Sequence, residues 1–177
     1  MKNIKTVFYG GKQAGMIALL TLKSIGYDVV CVVPCDDIVK DVAKKLGIDV
    51  QTPTNMNDGK FIQYLKNTGA SLFVCCHGKQ ILRKELLNSF ICVNMHPCLS
   101  KYKGKDPIGR AIQNKDSEAS VGLHYMIEKV DEGEVIEEIY TKISGKTVSE
   151  VYNELYPLYS MVLIIAKTKI DSAVFGH

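Results

Sequence analysis

An amide and an imidazole stand two residues apart in Asn94-Met95-His96-Pro97. The apolar run Phe90-Ile91-Cys92-Val93 just before them predicts a buried strand. Because residues i and i+2 of a strand point to the same side, Asn94 and His96 should project together from the strand's carboxyl end. Open α/β sheets bind their ligands at that end. An amide donor beside a titratable base suits a reaction in which an oxyanion forms while a proton moves.

The bulk composition is that of one globular domain. The chain has 177 residues, of which 46% are hydrophobic, and a formal net charge of +3. This charge is too small to indicate a nucleic-acid partner, although it is compatible with an anionic substrate. No long apolar N-terminal region or transmembrane span is visible, and the cysteines lack the spacing of a zinc site. We therefore expect a cytoplasmic protein with reduced thiols, no metal and no membrane partner.

Strands and helices are predicted to alternate along the chain. The strands are expected over 4–9, 28–33, 71–76 and 90–96, with a short extended piece at 50–52, and the helices over 14–25, 38–46 and 60–67. Beyond them we expect a helix over 108–114, two antiparallel strands over 120–127 and 134–143, and a last helix that begins at the capping box Thr147–Glu150. This order predicts an α/β fold, with a mostly parallel sheet covered by helices on both faces and a C-terminal β-hairpin and helix.

Two turns that follow strands could bind a ligand. Gly10-Gly11-Lys12-Gln13-Ala14-Gly15 opens a helix, and its backbone amides could hold an anion. It is neither a GxGxxG motif nor a GK[ST] loop, so a turn without a ligand is an equal alternative. Cys76-His77-Gly78-Lys79-Gln80-Ile81-Leu82 is the second turn. Cys98 offers a thiol nucleophile, but no oxyanion turn or helix start accompanies it.

Residues 90–136 resemble the catalytic core of the folate-dependent formyltransferases, which include glycinamide-ribonucleotide, methionyl-tRNA and nucleotide-sugar formyltransferases. Members carry Asn-x-His-Pro-Ser-Leu-Leu-Pro with a Tyr-Arg-Gly-like tail, and this chain has Asn-Met-His-Pro-Cys-Leu-Ser-Lys-Tyr-Lys-Gly over 94–104. The family's downstream Asp-x-Gly turn is matched by Asp131-Glu132-Gly133, followed by Val135-Ile136. Cys98 replaces the usual serine, and the loop 98–104 is shorter than the common form. Weaker similarity covers a Rossmann-like region over residues 4–143, and we expect 1–177 to form a single formyltransferase catalytic domain.

The resemblance implies transfer of a formyl group from N10-formyltetrahydrofolate to a primary amine, with Asn94, His96 and Asp131 as catalytic residues. Asn94 would donate to the oxyanion, and His96 would donate to it or shuttle protons. Asp131 would orient His96 or take the amine's proton. The pterin would lie between the turn after Cys76 and the loop leading into Asp131, with these residues as the cofactor-binding set: His77, Gly78, Lys79, Gln80, Ile81, Leu82, Ile127, Glu128 and Val130.

The acceptor is expected to be a small anionic amine. The first glycine turn differs from the Gly-x-Gly-Ser-Asn phosphate loop of the glycinamide-ribonucleotide enzymes, while the weak charge and the chain length argue against initiator tRNA. Elimination favours the amino group of a nucleotide-linked amino sugar. The substrate-binding candidates are Gly10, Gly11, Lys12, Gln13, Lys103, Lys105 and His124. Lys101 and Arg110 could also meet a diphosphate, although a solvated loop is a strong alternative for all these cations.

Two other classes of protein remain as alternatives. A catalytically silent, folate-binding regulatory domain would have no use for the complete set of Asn94, His96 and Asp131. A dinucleotide-dependent oxidoreductase needs an acidic residue at the end of its second strand, where this chain has Pro34 and Cys35 before Asp36. Apolar residues on more than one side of the segment 148–170 are compatible with a homodimer.

Overall fold

A seven-stranded β-sheet runs through the computed structural model, which describes residues 3–176. Its strands are β1 (Lys5–Gly10), β2 (Asp28–Pro34), β3 (Asp49–Val50), β4 (Leu72–Cys76), β5 (Ile91–Pro97), β6 (Glu118–Tyr125) and β7 (Val135–Lys142). The strand order is β3-β2-β1-β4-β5-β6-β7. The first five strands pair in parallel, whereas β6 and β7 add as antiparallel strands. The predicted mostly parallel sheet and C-terminal hairpin are therefore confirmed.

Helices cover both faces of this sheet, as predicted. They are α1 (Lys12–Ser24), α2 (Asp37–Lys45), α3 (Gly59–Asn67), α4 (Lys84–Leu87), α5 (Pro107–Gln113) and α6 (Val148–Phe175). Strand side chains alternate between the two faces: Phe8 packs in the core beneath α1, α2, α5 and α6, while Val7 and Tyr9 pack in the core beneath α3 and α4. Helix α4 was not predicted, because a four-residue helix is too short to display a hydrophobic period.

Side-chain caps fix where several helices begin. Asp36 accepts a hydrogen bond from Val39 N at 3.1 Å at the start of α2, and Asp58 accepts one from Phe61 N at 3.0 Å at the start of α3. The capping box predicted for the last helix is present, since the Thr147 and Glu150 side chains each meet the other's backbone N–H.

The outer surface of α6 carries exposed apolar residues. Leu155, Leu158 and Val162 are buried in the core, but Ile164 and Ile165 are 52% and 53% exposed. The homodimer suggested by this helix remains a prediction, which a measurement of molecular mass in solution would check. Among residues 3–176, no helix combines the length and apolarity that crossing a membrane requires.

The carboxyl ends of β1, β4 and β5 meet at one edge of the sheet because these strands are parallel. Gly10 pairs with Cys76, and Cys75 pairs with Asn94, so the turns after β1 and β4 lie beside the Asn-x-His segment. On the other side, Asn94 pairs with His124 of β6. The sheet thus brings together residues that are far apart in the chain.

Candidate active site

Four polar side chains converge at the carboxyl end of β5. Asn94 and His96 lie on one side of that strand, His124 stands opposite Asn94 on β6, and Asp131 lies in the connection between β6 and β7. His96 Nε2 is 3.2 Å from Asp131 Oδ2, and Asn94 Nδ2 is 3.3 Å from Asp131 Oδ1. The structure therefore brings the three predicted catalytic side chains into one cluster around the carboxylate.

Asp131 is the centre of this cluster and is nearly buried. Its backbone is in the left-handed region (φ 56°), and its Oδ2 accepts a hydrogen bond from Gly104 N at 2.9 Å. Burial by itself would raise the pKa of this carboxyl group. The interactions with His124, with His96 and with the N–H of Gly104 outweigh burial and hold the pKa below its usual value. The carboxylate is therefore ionised at neutral pH.

The hydrogen-bond partners of His96 define one of its protonation sites. Nε2 is 3.0 Å from the carbonyl oxygen of Gly104 and 3.2 Å from Asp131 Oδ2. Both neighbours are acceptors, so Nε2 must carry a hydrogen. The other nitrogen, Nδ1, is buried and has no hydrogen-bond partner among the described residues. This arrangement fixes an N–H beside a carboxylate, which suits a group that donates or transfers a proton.

His124 lies behind the other members of the cluster and is only 2% exposed. Its Nδ1 is 2.8 Å from the carbonyl oxygen of Tyr125 and so donates a hydrogen bond to it, while Nε2 lies 3.2 Å from Asn94 Nδ2 and 3.5 Å from Asp131 Oδ1. The sequence had suggested that His124 binds the acceptor. Its actual contacts are with two of the predicted catalytic residues, which indicates that it holds them in place.

The orientation of the Asn94 amide follows from these neighbours. Its Nδ2 faces the Asp131 carboxylate and His124 Nε2, whereas an amide oxygen in that place would repel the carboxylate oxygen. Both N–H groups are directed at protein partners in this arrangement. The predicted role of Asn94 as donor to an oxyanion remains a prediction, and it requires one of these N–H groups to be shared with the substrate.

A single residue of the loop 98–104 closes the cluster. Gly104 donates its N–H to Asp131 and offers its carbonyl oxygen to His96, with a left-handed backbone (φ 80°). The loop is anchored on its other side because Tyr102 donates its hydroxyl to Asp116 Oδ2 at 2.8 Å. Lys101 forms an ion pair with the same carboxylate at 2.5 Å. The position of the loop and the geometry of the cluster are thus linked through Gly104.

A cleft of about 600 Å³ opens over the cluster and is large enough for a drug-sized ligand. One wall is the turn over residues 77–82, and the opposite wall is formed by 126–128 and 130. All the residues predicted to bind the folate line these walls. Apolar side chains dominate them at Ile81, Leu82, Met126, Ile127 and Val130, which fits burial of a flat ring system.

The predicted acceptor-binding residues divide into two groups. Lys12, Lys105 and His124 line the cleft, whereas Gly10, Gly11, Gln13 and Lys103 do not. Gly10 is required for packing, because a Cβ there would lie 2.2 Å from the carbonyl oxygen of Cys76. A Cβ on Gly11 would come within 2.6 Å of Asp36 Oδ2. Both glycines are therefore explained by close packing, Gly10 against backbone and Gly11 against side chains.

Two further cations suggested for a diphosphate have other partners. Lys101 is paired with Asp116, and Arg110 lies over the Tyr102 ring at 4.8 Å while it donates to the carbonyl oxygen of Lys103 at 2.9 Å. Neither side chain lines the cleft. Several residues that line the cleft were not predicted as site residues from the sequence: Cys75, Met95, Pro97, Gly104, Asp106, Pro107, Met126 and Tyr152.

His77 contributes a neutral imidazole to the wall of the cleft. Burial is the main cause that lowers its pKa to about 4, with the nearby charges of Lys12 and His96 acting in the same direction. Its Nε2 is 3.1 Å from the hydroxyl of Tyr159, a residue of α6. His77 is therefore uncharged at neutral pH and is held against the helical layer.

Two alternative chemistries lose support at the level of side chains. Cys98 is buried, and burial raises the pKa of its thiol, so it is a poor nucleophile. Asp36, the nearest acidic residue to the end of β2, is engaged by the backbone N–H groups of Lys12 and Val39. Within residues 3–176, no three His, Cys, Asp or Glu side chains are grouped to hold a metal ion.

This chain is similar in sequence to one family model and to several known proteins. A sequence model of the family described as formyl transferase matches residues 6–165. Methionyl-tRNA formyltransferase of Campylobacter jejuni is 32% identical over 128 residues, which are 72% of this chain and 42% of that protein. The bifunctional polymyxin resistance protein ArnA of Wigglesworthia glossinidia brevipalpis is 27% identical over 95% of this chain and 29% of its own length. The chain thus spans about two fifths of the methionyl-tRNA formyltransferases that it matches.

Solved structures share the fold at lower sequence identity. Glycinamide ribonucleotide transformylase 1 from Symbiobacterium toebii superposes with a TM-score of 0.81 at 19% identity, covering 93% of this chain and 85% of that one. Phosphoribosylglycinamide formyltransferase from Campylobacter jejuni superposes with a TM-score of 0.82 at 19% identity, covering 97% and 99% of the two chains.

Proposed function

This chain belongs to the formyl transferase family, and from that premise we propose that it transfers a formyl group from N10-formyltetrahydrofolate to a primary amine. The observation that carries the proposal is the cluster of Asn94, His96 and Asp131 at the base of a cleft of about 600 Å³. A purely structural domain would gain nothing from burying this carboxylate between two imidazoles and an amide.

The walls of the cleft fit the folate. Its apolar side chains can bury a planar ring system, and the polar cluster lies at the bottom, where a transferable carbon would be presented. The folate supplies the formyl group. This fit is one of shape and polarity.

The cluster can serve each proton movement of the transfer. As the amine nitrogen bonds to the formyl carbon, the carbonyl oxygen becomes an anion, and the His96 Nε2–H and an Asn94 N–H are the donors within reach of that region. Asp131 accepts the proton that the amine loses, directly or through His96, whose Nε2 is 3.2 Å away. The same proton then returns to N10 of the folate as the carbon–nitrogen bond breaks, so charge and atoms balance.

The acceptor is proposed to be a small anionic amine, with a nucleotide-linked amino sugar as the leading candidate. Lys12 and Lys105 present cationic side chains to the cleft, and Tyr152 and Asp106 add polar groups beside them. The two ammonium groups could bind phosphate, and the Tyr152 hydroxyl and the Asp106 carboxylate could bind sugar hydroxyls, so the set suits a phosphorylated sugar. Glycinamide ribonucleotide and methionyl-tRNA are the alternative acceptors.

The test is incubation with N10-formyltetrahydrofolate and a panel of amines: aminodeoxy nucleotide sugars, glycinamide ribonucleotide and methionyl-tRNA. Release of tetrahydrofolate with an amino sugar alone is the expected result. Release with either other acceptor would reassign the substrate, and no release with any amine would support the silent regulatory domain.

One substitution separates an enzyme from a binding module. Asn94→Ala should abolish most turnover while folate affinity stays within about threefold, because losing such a donor raises the barrier by roughly 3–4 kcal/mol. Asn67→Ala is the matched control, since Asn67 lies on α3 and only accepts a hydrogen bond from Gln63. Equal turnover in the two variants would contradict the proposed role of Asn94.

A further inference from the structure

The wall turn, defined here as residues 77–82, is built around the hydroxyl of one tyrosine. Tyr9 lies on β1, is only 3% exposed, and its oxygen accepts hydrogen bonds from the backbone N–H of Lys79 and of Gln80, both at 2.8 Å. These two amides are consecutive, so one side-chain atom fixes the direction of two peptide groups. Burial raises the pKa of Tyr9, which keeps the phenol protonated.

The backbone before these amides is shaped to the same tyrosine. His77 has a left-handed backbone (φ 59°), and a Cβ on Gly78 would lie 2.5 Å from Tyr9 Cε1 and 2.8 Å from Cys75 Sγ. Only glycine allows the chain to approach the ring this closely. The wall turn therefore passes over the edge of Tyr9 and then folds back onto its hydroxyl.

A second set of contacts holds the wall turn from its outer side. Gln80 Oε1 accepts a hydrogen bond from Met56 N at 2.9 Å, and Asn57 Nδ2 donates to the carbonyl oxygen of Ile81 at 3.0 Å. Asn57 Oδ1 also accepts from Arg83 N at 2.7 Å. The wall turn is thus clamped between Tyr9 beneath it and Asn57 outside it.

These contacts change what the wall turn can offer to a ligand. The N–H groups of Lys79 and Gln80 already donate to Tyr9, so they are not free to recognise the pterin. The carbonyl oxygen of Ile81 already accepts one hydrogen bond from Asn57. These hydrogen bonds hold Leu82 and the exposed Ile81 in position as one wall of the cleft. A wall that is ordered before binding spares the ligand the entropic cost of ordering it.

We propose that Tyr9 and Asn57 are positioning residues that preorganise the folate-binding wall of the cleft and thereby set the affinity for the folate. The inference rests on the proposed function, because it assigns the ligand of that wall. Neither residue touches the catalytic cluster in the structure, so their effect is confined to binding.

Tyr9→Phe tests the proposal because it keeps the ring and removes only the acceptor oxygen. We expect KM for N10-formyltetrahydrofolate to rise about five- to tenfold, as for the loss of one to two net hydrogen bonds, with kcat at saturation within about twofold. The matched control is Tyr27→Phe. Tyr27 is also 3% exposed and loses one hydroxyl hydrogen bond, to Asp171, at a distance from the cleft.

A second measurement does not depend on turnover. Hydrogen exchange at the amides of Lys79 and Gln80 should become faster in Tyr9→Phe and stay unchanged in Tyr27→Phe. Asn57→Ala, which leaves the core intact, should raise KM in the same direction. An unchanged KM in both Tyr9→Phe and Asn57→Ala would overturn the inference.

Direct titration with 5-formyltetrahydrofolate, which carries its formyl group on another nitrogen, separates this inference from the proposed function. If the wild-type protein binds no folate, the proposed function fails. If the wild type binds and Tyr9→Phe binds equally tightly, the proposed function stands and the positioning role is refuted.

Discussion

Replacing Asp131 by asparagine removes one charge from the cluster with almost no change in volume. Asp131 Oδ2 is 3.2 Å from His96 Nε2 and accepts from Gly104 N at 2.9 Å. The new amide can still accept from Gly104 through its oxygen. Its NH2 group would then take the place of Oδ1, which lies 3.3 Å from Asn94 Nδ2, and donor would meet donor. The variant therefore loses the negative charge beside the His96 imidazole and the acceptor that orients the Asn94 amide.

The size of the effect follows from the distance. Two unit charges 3.2 Å apart interact by about 5 kcal/mol at an effective dielectric constant of about 20, which sets an upper limit for stabilisation of a charged His96 in the transition state. Water and the remaining dipoles recover part of this energy. We expect the barrier to rise by about 2–4 kcal/mol, which lowers kcat by roughly 30- to 1000-fold.

The assay follows tetrahydrofolate release at saturating N10-formyltetrahydrofolate, with the acceptor found in the amine panel. KM for the folate should change little, because Asp131 contacts polar members of the cluster and not the apolar walls. Asp171→Asn is the control, since Asp171 lies on α6 and pairs with Lys167 and Tyr27. A kcat within about threefold of wild type in Asp131→Asn would refute the assigned role of the carboxylate.

Three further results are expected. The pKa of His77 is lowered from 6.5 to about 4, so between these pH values the unfolded chain binds a proton that the folded site does not; the free energy of unfolding should therefore decrease by up to about 3 kcal/mol as the pH falls from 6.5 to 4. Urea titrations at a series of pH values should show this decrease in the wild type and not in His77→Gln, and an equal pH dependence in the two proteins would contradict the prediction. Gly104→Ala should lower stability by about 1 kcal/mol through backbone strain at φ 80° and should also lower kcat about tenfold. Gly145→Ala, at φ 74° in a remote turn, should lower stability by a similar amount and leave kcat unchanged. Equal kcat values in the two variants would show that Gly104 has no role in catalysis. Cys98→Ser should keep kcat within about threefold, and a loss of two orders of magnitude would revive the thiol nucleophile.

The fold was accessible from the sequence because its signals are local. Apolar runs separated by glycine turns identify the parallel strands, and the capping box at Thr147 and Glu150 marks the start of the last helix. The pairing of Asn94 with His96 on one side of β5 follows from the two-residue period of any strand. Asp131 was reached differently, through resemblance to a family, since nothing in its own turn distinguishes it from a surface aspartate.

The same local reasoning was less successful for the acceptor half of the cleft. A glycine-rich turn and neighbouring lysines indicate anion binding equally well whether they face a ligand or the solvent. In the structure, Gly10 and Gly11 meet backbone and side-chain atoms of neighbouring segments, and Lys103 lies outside the cleft. Whether each of these residues faces the cleft depends on the orientation of its loop. That orientation is set by contacts with distant segments, which no short window of sequence contains.

The sequence by itself determined the order of the strands and of all helices but α4 along the chain, and the residue types of the proposed catalytic set. Tertiary structure alone decided that His124 contacts Asn94 and Asp131, that the backbone of Gly104 bridges His96 and the carboxylate, and that the Tyr9 hydroxyl holds the wall turn. These contacts join residues up to 71 positions apart. Periodicity reports which face a residue occupies, but only the packed sheet establishes which distant residue it meets there.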